Sequence, residues 1–220
     1  MIIAAINTVN YGSTGRIMLG ILEAASANNT VYAYYGVGKT INQKIKAVKV
    51  GRNFSIYLST KLAHLTGLAG CYSFVPTLKL IYLFKKNHVE IIHLHNLHIS
   101  FINLPMLFKF IKRENIRVVW TLHDCWTFTG HCPHFTFEKC SKWETGCFDC
   151  TKFKKYPVSS FDNSKFMWRL KKKWFTGVPN MTIVTPSQWL AGLVKRSYLK
   201  EYDVKVINNG IDLSIFKPTP

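Results

Sequence analysis

The sequence predicts an α/β fold, a doubly wound and mostly parallel Rossmann-like sheet with a Cys-rich insertion. Three observations predict it. Short apolar runs alternate with amphipathic helical stretches along the chain. The runs are apolar throughout, not at every second residue, which marks strands buried on both faces. Apolar residues are 48% and charged residues 18% of the 220, enough core for one sizeable domain and too much for a disordered chain.

The elements follow in order. Ile2-Ile3-Ala4-Ala5-Ile6 reads as the first strand. A turn of small residues, Gly12-Ser13-Thr14-Gly15, leads into a helix with Ile17, Ile21 and Ala24 beside Met18, Leu22 and Ala25. Residues 31–35 and 46–50 read as strands, 54–66 and 76–87 as helices. A buried strand spans 89–94, and a helix spans 103–114 with Pro105 tolerated in its first turn. Strands follow at 117–122 and 181–185. Ser187 is a natural N-cap for a helix with Leu190, Leu193 and Val194 on its apolar stripe, and 204–207 is the last strand.

Ligands of such sheets sit beyond the carboxyl ends of the strands, so residues 7–15, 93–98, 121–126, 185–188 and 207–212 hold the candidates. Backbone N–H groups at Gly12-Ser13-Thr14-Gly15 and a helix N-terminus could hold an anion, with Arg16 as a phosphate partner. The same residues also suit a plain capped turn. His93 and His95 share one strand face and, with His98, surround the strand end. No carboxylate lies beside them, so they read as hydrogen-bonded imidazoles before metal ligands. His123-Asp124 ends the next strand. A His beside an Asp can orient a hydroxyl or take a proton near neutral pH; capping the strand end is the plainer role.

The segment about 125–161 breaks the periodicity, and long irregular segments after a strand's carboxyl end are usually functional. It carries Cys132, Cys140, Cys147 and Cys150. Four thiolates suit tetrahedral zinc, with His131 and His134 as substitute ligands. The spacing departs from paired CxxC knuckles, and free thiols are the competing reading. Such a zinc would staple an otherwise coreless excursion and would not catalyse.

Lys and Arg number 29 against 11 Asp and Glu, a net +18 that points to an anionic partner. In 152–173, Lys165, Arg169 and Lys172 share a helical face, and Phe166, Leu170 and Trp174 the neighbouring one. That pattern fits a helix on an anionic membrane surface, or a packed helix with a solvated basic face. Lys39, Lys44, Lys46, Lys49 and Arg52 form a second basic patch. No stretch approaches the ~20 apolar residues of a spanning helix, and the amino end lacks a basic leader. The expected location is cytoplasmic, peripheral on the inner membrane face.

Several motifs together resemble a known family. They are Ile6-Asn7-Thr8 through Gly12-Ser13-Thr14-Gly15-Arg16; His93-Leu94-His95-Asn96; the run Val119-Trp120-Thr121-Leu122-His123-Asp124-Cys125-Trp126-Thr127-Phe128-Thr129-Gly130-His131-Cys132; Thr185-Pro186-Ser187-Gln188-Trp189-Leu190; and Asn209-Gly210-Ile211-Asp212 with Phe216 and Pro218. In this order they resemble the N-terminal domain of retaining GT-B glycosyltransferases of family GT4, above all bacterial members that build capsular, O-antigen or colanic-acid-type polysaccharide. The resemblance implies that 1–220 is the acceptor-binding half of a GT-B fold, with the interdomain linker beginning about 209–220 and a C-terminal donor domain in cis. It implies a nucleotide-sugar donor and a lipid-linked saccharide acceptor. Gly12, Ser13, Thr14, Gly15 and Arg16 would meet the donor phosphates. His123, with Asp124 alongside, would lie at the reacting centre, and His93, His95 and Asn96 on the acceptor side. No cofactor is required for catalysis, because Arg, Lys and helix N-termini can neutralise phosphates. Asn208 stands where the family usually has Pro. The family's donor-phosphate Arg/Lys pair and its EX7E motif belong to the other half, so this fragment alone is expected to be inactive.

Two other classes compete. One is a zinc-stapled, basic nucleic-acid-binding protein, which leaves the strand-end histidines unused and lacks a single basic recognition helix. The other is a lone Rossmann domain that binds a partner transferase subunit.

Overall fold

The structure is a computed structural model that describes residues 1–38, 44, 45, 47–211 and 217. Its strands are β1 (Ile2–Val9), β2 (Thr30–Val37), β3 (Ala47–Lys49), β4 (Ile91–Leu94), β5 (Arg117–Thr121), β6 (Met181–Thr185) and β7 (Asp203–Val206). They form one sheet in the order β3-β2-β1-β4-β5-β6-β7, and every pairing is parallel. The connecting helices are α1 (Gly12–Ala25), α2 (Asn53–Thr66), α3 (Phe74–Lys86), α4 (Leu104–Glu114), α5 (Ser164–Phe175) and α6 (Gln188–Arg196). From β1 the chain winds outward to β3, then returns to β4 and winds the other way. The winding reverses between β1 and β4, where a doubly wound sheet opens its ligand crevice.

The sheet is buried on both faces, as the apolar runs predict. Ile6, Tyr34, Leu94 and Trp120 belong to the large core, and Ala5, Met18, Leu22 and Ala33 to a smaller one against α1. Trp120 anchors the large core, with Phe175 edge-on at 4.9 Å and Phe108 at 5.4 Å. The expected Ser187 cap forms, and Asn103, expected inside its helix, proves to be the cap of α4. Asn103 accepts from the N–H of Met106 at 2.9 Å, ahead of Pro105 in the first turn of α4, and Ser187 Oγ accepts from Leu190 N–H at 3.2 Å.

Three features differ from expectation. First, Gly12-Ser13-Thr14-Gly15 is the opening turn of α1, not a loop ahead of it. Gly12 supplies φ +66°, and a Cβ on Gly15 would lie 2.7 Å from the carbonyl carbon of Asn10, so the helix can start hard against β1 only with glycine there.

Second, the insertion is not coreless. Trp126, Phe128, Phe135 and Trp143 are buried in the main core. Trp143 lies 5.3 Å from the Phe128 ring and 4.9 Å from that of Phe135, and its carbonyl accepts from Trp168 Nε1 at 2.9 Å. Large rings build this core without any helical or strand period.

Third, α5 does not present an apolar face outward. Met167, Trp168, Lys171, Trp174 and Phe175 are buried, whereas Phe166 points to solvent and Leu170 is half-buried. The inward stripe is turned from the expected one because the two tryptophans and Met167 fill the gap beside the insertion. The helix is the packed alternative, with Lys165, Arg169, Lys172 and Lys173 exposed.

In the second basic patch, Lys44 pairs with Glu23 at 2.6 Å and Lys49 bonds Asn53; Lys39 and Lys46 lie outside the described residues. Asp212, Phe216 and Pro218 of the last motif also lie outside them. Among the described residues no helix is long and apolar enough to cross a membrane.

Candidate active site

The carboxyl ends of β1, β4 and β5 meet at the switch point, and one buried amide ties them together. Asn7 has no solvent exposure. Its Nδ2 donates to the Val9 carbonyl at 2.8 Å and to Thr14 Oγ1 at 3.1 Å, inside the first turn of α1. Its Oδ1 accepts from the backbone N–H of Asn96 at 3.0 Å. Thr8 strengthens the seam, with N–H and Oγ1 both donating to the Asn96 carbonyl. Asn96 Nδ2 in turn reaches Asp124 Oδ2 at 3.4 Å. A continuous path of hydrogen bonds therefore runs from Thr14 through Asn7 and Asn96 to Asp124. Gly12, Ser13 and Arg16 stand exposed at its α1 end.

Asp124 is a hub. It accepts from Trp126 N–H at 2.8 Å and lies 3.1 Å from His98 Nε2. Burial alone would raise its carboxyl, but the His98 hydrogen bond and charge, the Trp126 N–H and the His134 charge hold it below the usual carboxylate range.

The histidines form a second, stacked path. His93 Nε2 meets Thr121 Oγ1 at 2.8 Å, and the His93 and His95 rings lie 4.3 Å apart on the shared face. His95 Nδ1 meets His123 Nε2 at 3.1 Å, with the two rings 12° from parallel. Burial pushes His93 down to about 4, His95 well below its ordinary value, and His123 downward as well. All three are uncharged at neutral pH. His95 Nε2 is buried without a partner. An orphaned N–H costs more than an orphaned lone pair. We therefore assign the His95 proton to Nδ1, donating to His123 Nε2. His123 then carries its own proton on Nδ1 at the half-buried rim.

This burial fixes the sign of acid sensitivity. An unfolded His93 binds a proton near 6.5, the folded one near 4, so protons favour the unfolded chain between those values. Stability is expected to be full above pH 6.5 and to fall on acidification to pH 4, by about 3 kcal/mol from this residue. Urea unfolding at pH 7.5 and 5.0 checks it; equal midpoints would contradict the buried neutral imidazoles.

Sequence reasoning missed three contributors. Asn7 reads as an ordinary polar strand end. His98 lies in the expected region, yet its pairing with Asp124 has no sequence signal. Lys171 sits in a basic run but is fully buried. Its Nζ donates to the carbonyls of Trp126 at 2.8 Å and Thr129 at 3.2 Å, 3.4 Å above the Trp126 ring, and so holds the turn that follows Asp124. Burial pushes this amine down to about 7.

The four insertion cysteines line one cavity of about 330 Å³ and none forms a disulfide. The Cys132 and Cys150 thiols share a hydrogen bond that raises Cys132 and lowers Cys150 to about 7. Cys147 Sγ accepts from the Gly130 N–H at 3.1 Å. Among the described residues, no three His, Cys, Asp or Glu side chains are gathered closely enough to hold a metal ion.

A family profile described as Glycosyltransferase Family 4 matches residues 55–215. The chain belongs to glycosyltransferase family 4. The match takes in His93, His95, Asn96, His123, Asp124 and the cysteines, and starts after the opening turn of α1. The family 4 chain is 31% identical over 131 residues to the putative colanic acid biosynthesis glycosyl transferase WcaC of Escherichia coli (strain K12). That alignment covers 56% of this chain and 32% of the relative, so the chain matches about a third of that relative's length. A solved glycosyltransferase from Rickettsia africae ESF-5 aligns over 97% of this chain and 44% of its own, at 17% identity and a TM-score of 0.46.

Proposed function

We propose that this family 4 chain is the acceptor-side half of a retaining glycosyltransferase. It moves a sugar from a nucleotide-sugar to a lipid-linked saccharide during surface-polysaccharide assembly, at the cytoplasmic face of the membrane. Family membership and the name of the Escherichia coli relative support the reaction class. The observation that carries the reading is the hydrogen-bonded path joining Thr14 to Asp124. It sets an anion-accepting helix start and an uncharged imidazole on one rim.

In a retaining transfer the acceptor oxygen attacks the sugar on the face from which the diphosphate departs. The N–H groups opening α1, with Arg16, stabilise charge on the leaving diphosphate. His123 Nδ1–H orients a sugar hydroxyl beside the anomeric carbon, and His93, His95 and Asn96 shape the acceptor side. Asp124, beside His123 at the reacting centre, also positions the loop through Trp126 N–H, His98 and Asn96. A second Rossmann half in cis supplies the rest of the donor site. Transfer requires no metal on this reading, because Arg16 and the N–H groups opening α1 can neutralise the phosphates. The nucleic-acid reading is less favoured because it leaves the strand-end histidines unused and α5 packs its Met167, Trp168, Trp174 and Phe175 into the core.

Independently of the transfer reading, we propose a structural zinc on the four cysteines, although the thiols as they stand are not gathered around one point. Their shared cavity and the Cys132–Cys150 contact support it, and a tetrahedral site requires the other two thiols to close onto that pair. Zinc analysis of the purified chain checks this point, with one ion per chain expected. No zinc and four reactive thiols would remove the metal while leaving the transfer reading intact.

The transfer itself is tested in the full-length protein with radiolabelled UDP- and GDP-sugars and membranes containing lipid-linked saccharides. Label is expected in the organic phase, in an anomeric configuration unchanged from the donor. An inverted product would overturn the retaining mechanism, and label that never enters lipid would overturn the acceptor class.

A further inference from the structure

Helices α2 and α3 depart from the usual pattern of a surface helix, whose solvent face is polar; α3 buries Leu80 and Phe84 inward, yet both helices carry large apolar residues outward. Inward, α2 buries only Ile56 and Ser59. Outward it shows Phe54 (77% exposed), Tyr57, Leu58, Leu62 and Leu65. The outward stripe of α3 is Phe74, Val75 (75% exposed), Leu78 and Tyr82. The chain entering α3 is tied to α2, with Ser73 Oγ donating to Ser59 Oγ at 2.8 Å and Thr66 and Tyr72 bonded at 2.8 Å, which brings the start of α3 beside α2. Single exposed apolar residues need no explanation, but two adjoining stripes mark an interaction surface.

Charge identifies what covers it. Arg52, Lys61, Lys79, Lys85 and Lys86 are exposed around the stripes, and residues 52–88 contain no Asp or Glu. Among the described residues, Lys85 alone of these pairs with an acid, Glu114 at 3.3 Å. Rings and leucines bordered by lysines suit the headgroup region of an anionic bilayer. A second copy suits it poorly, because a two-fold contact would set this acid-free face against itself.

The surface also adjoins the site. A cavity of about 260 Å³ is lined by Thr60, Ala63 and His64 of α2 on one side and by His98 and Trp126 on the other.

We propose that the α2–α3 face docks the protein on anionic phospholipid, which brings a lipid-linked acceptor to the His98–Asp124 end of the crevice. The inference rests on the proposed function for the acceptor, but its test does not. Flotation of the protein with phosphatidylglycerol/phosphatidylcholine vesicles is compared with phosphatidylcholine vesicles alone. Binding is expected to be about tenfold or more tighter to the anionic vesicles and to weaken with salt. The triple substitution Phe54→Ser, Leu58→Ser, Val75→Ser lies on the exposed face, so its circular dichroism should match the parent while vesicle binding falls at least about tenfold. Binding that ignores either lipid charge or the triple substitution overturns the proposal. So does a dimer in solution that the substitutions dissociate, or a face already covered by further residues of the full-length protein. The vesicles carry neither donor nor acceptor, so failure here leaves the transfer reading untouched, and failed transfer leaves lipid docking standing.

Discussion

His123→Ala in the full-length protein is expected to lower kcat/KM for sugar transfer about 10²–10³-fold, the usual effect of deleting one preorganised hydrogen-bond donor at a reacting centre. The structure gives the reason. His123 is kept neutral by burial and held nearly parallel to His95 by the 3.1 Å contact, so its remaining N–H is aimed before substrate arrives. Folding should survive. The substitution strands one nitrogen of His95, at about 1–2 kcal/mol, a loss of a few degrees in melting temperature. His123→Gln restores a donor without the ring stack and should recover part of the rate. Undiminished transfer by the folded Ala variant would exclude His123 from the chemistry.

Asp124→Ala is expected to act the other way round, with a large structural effect. It strands His98, the Trp126 N–H and the Asn96 amide together. Removing one member of a buried polar cluster costs about 3–5 kcal/mol, which lowers the melting transition by roughly 10 °C in a domain of this size. Because its carboxyl is held below the usual range when folded, Asp124 stabilises fully above about pH 4 and loses this contribution as pH falls through its folded value. The variant should therefore show a shallower loss of stability below pH 4 than the parent. Thermal melts across pH 3–7 check both statements, and a variant as stable as the parent would remove Asp124 as the hub.

The fold was legible because strands buried on both faces leave apolar runs, and because a cap such as Ser187 carries local chemistry. The pairing of His93 with His95 followed from strand alternation alone. The Thr14–Asn7–Asn96 bridge joins residues 7 and 96 across two strands, and nothing local in either segment announces it. Lys171 shows the opposite limit. Basic neighbours make it look solvated, yet two carbonyls and an indole ring from a distant turn create its buried berth. The insertion was misread as coreless for a related reason, since aromatic clustering has no period to detect. In α5 the stripe was misassigned because tryptophan at 168 and methionine at 167 outweigh the phenylalanine at 166 once the insertion lies against them.

Asn7 has a mechanical consequence. One amide with no room to move is clamped both to the start of α1 and to the end of β4. The start of α1 and the end of β4 therefore share a single joint. On the proposed function, the spacing between a diphosphate at the start of α1 and an acceptor beyond β4 is then set by this one side chain.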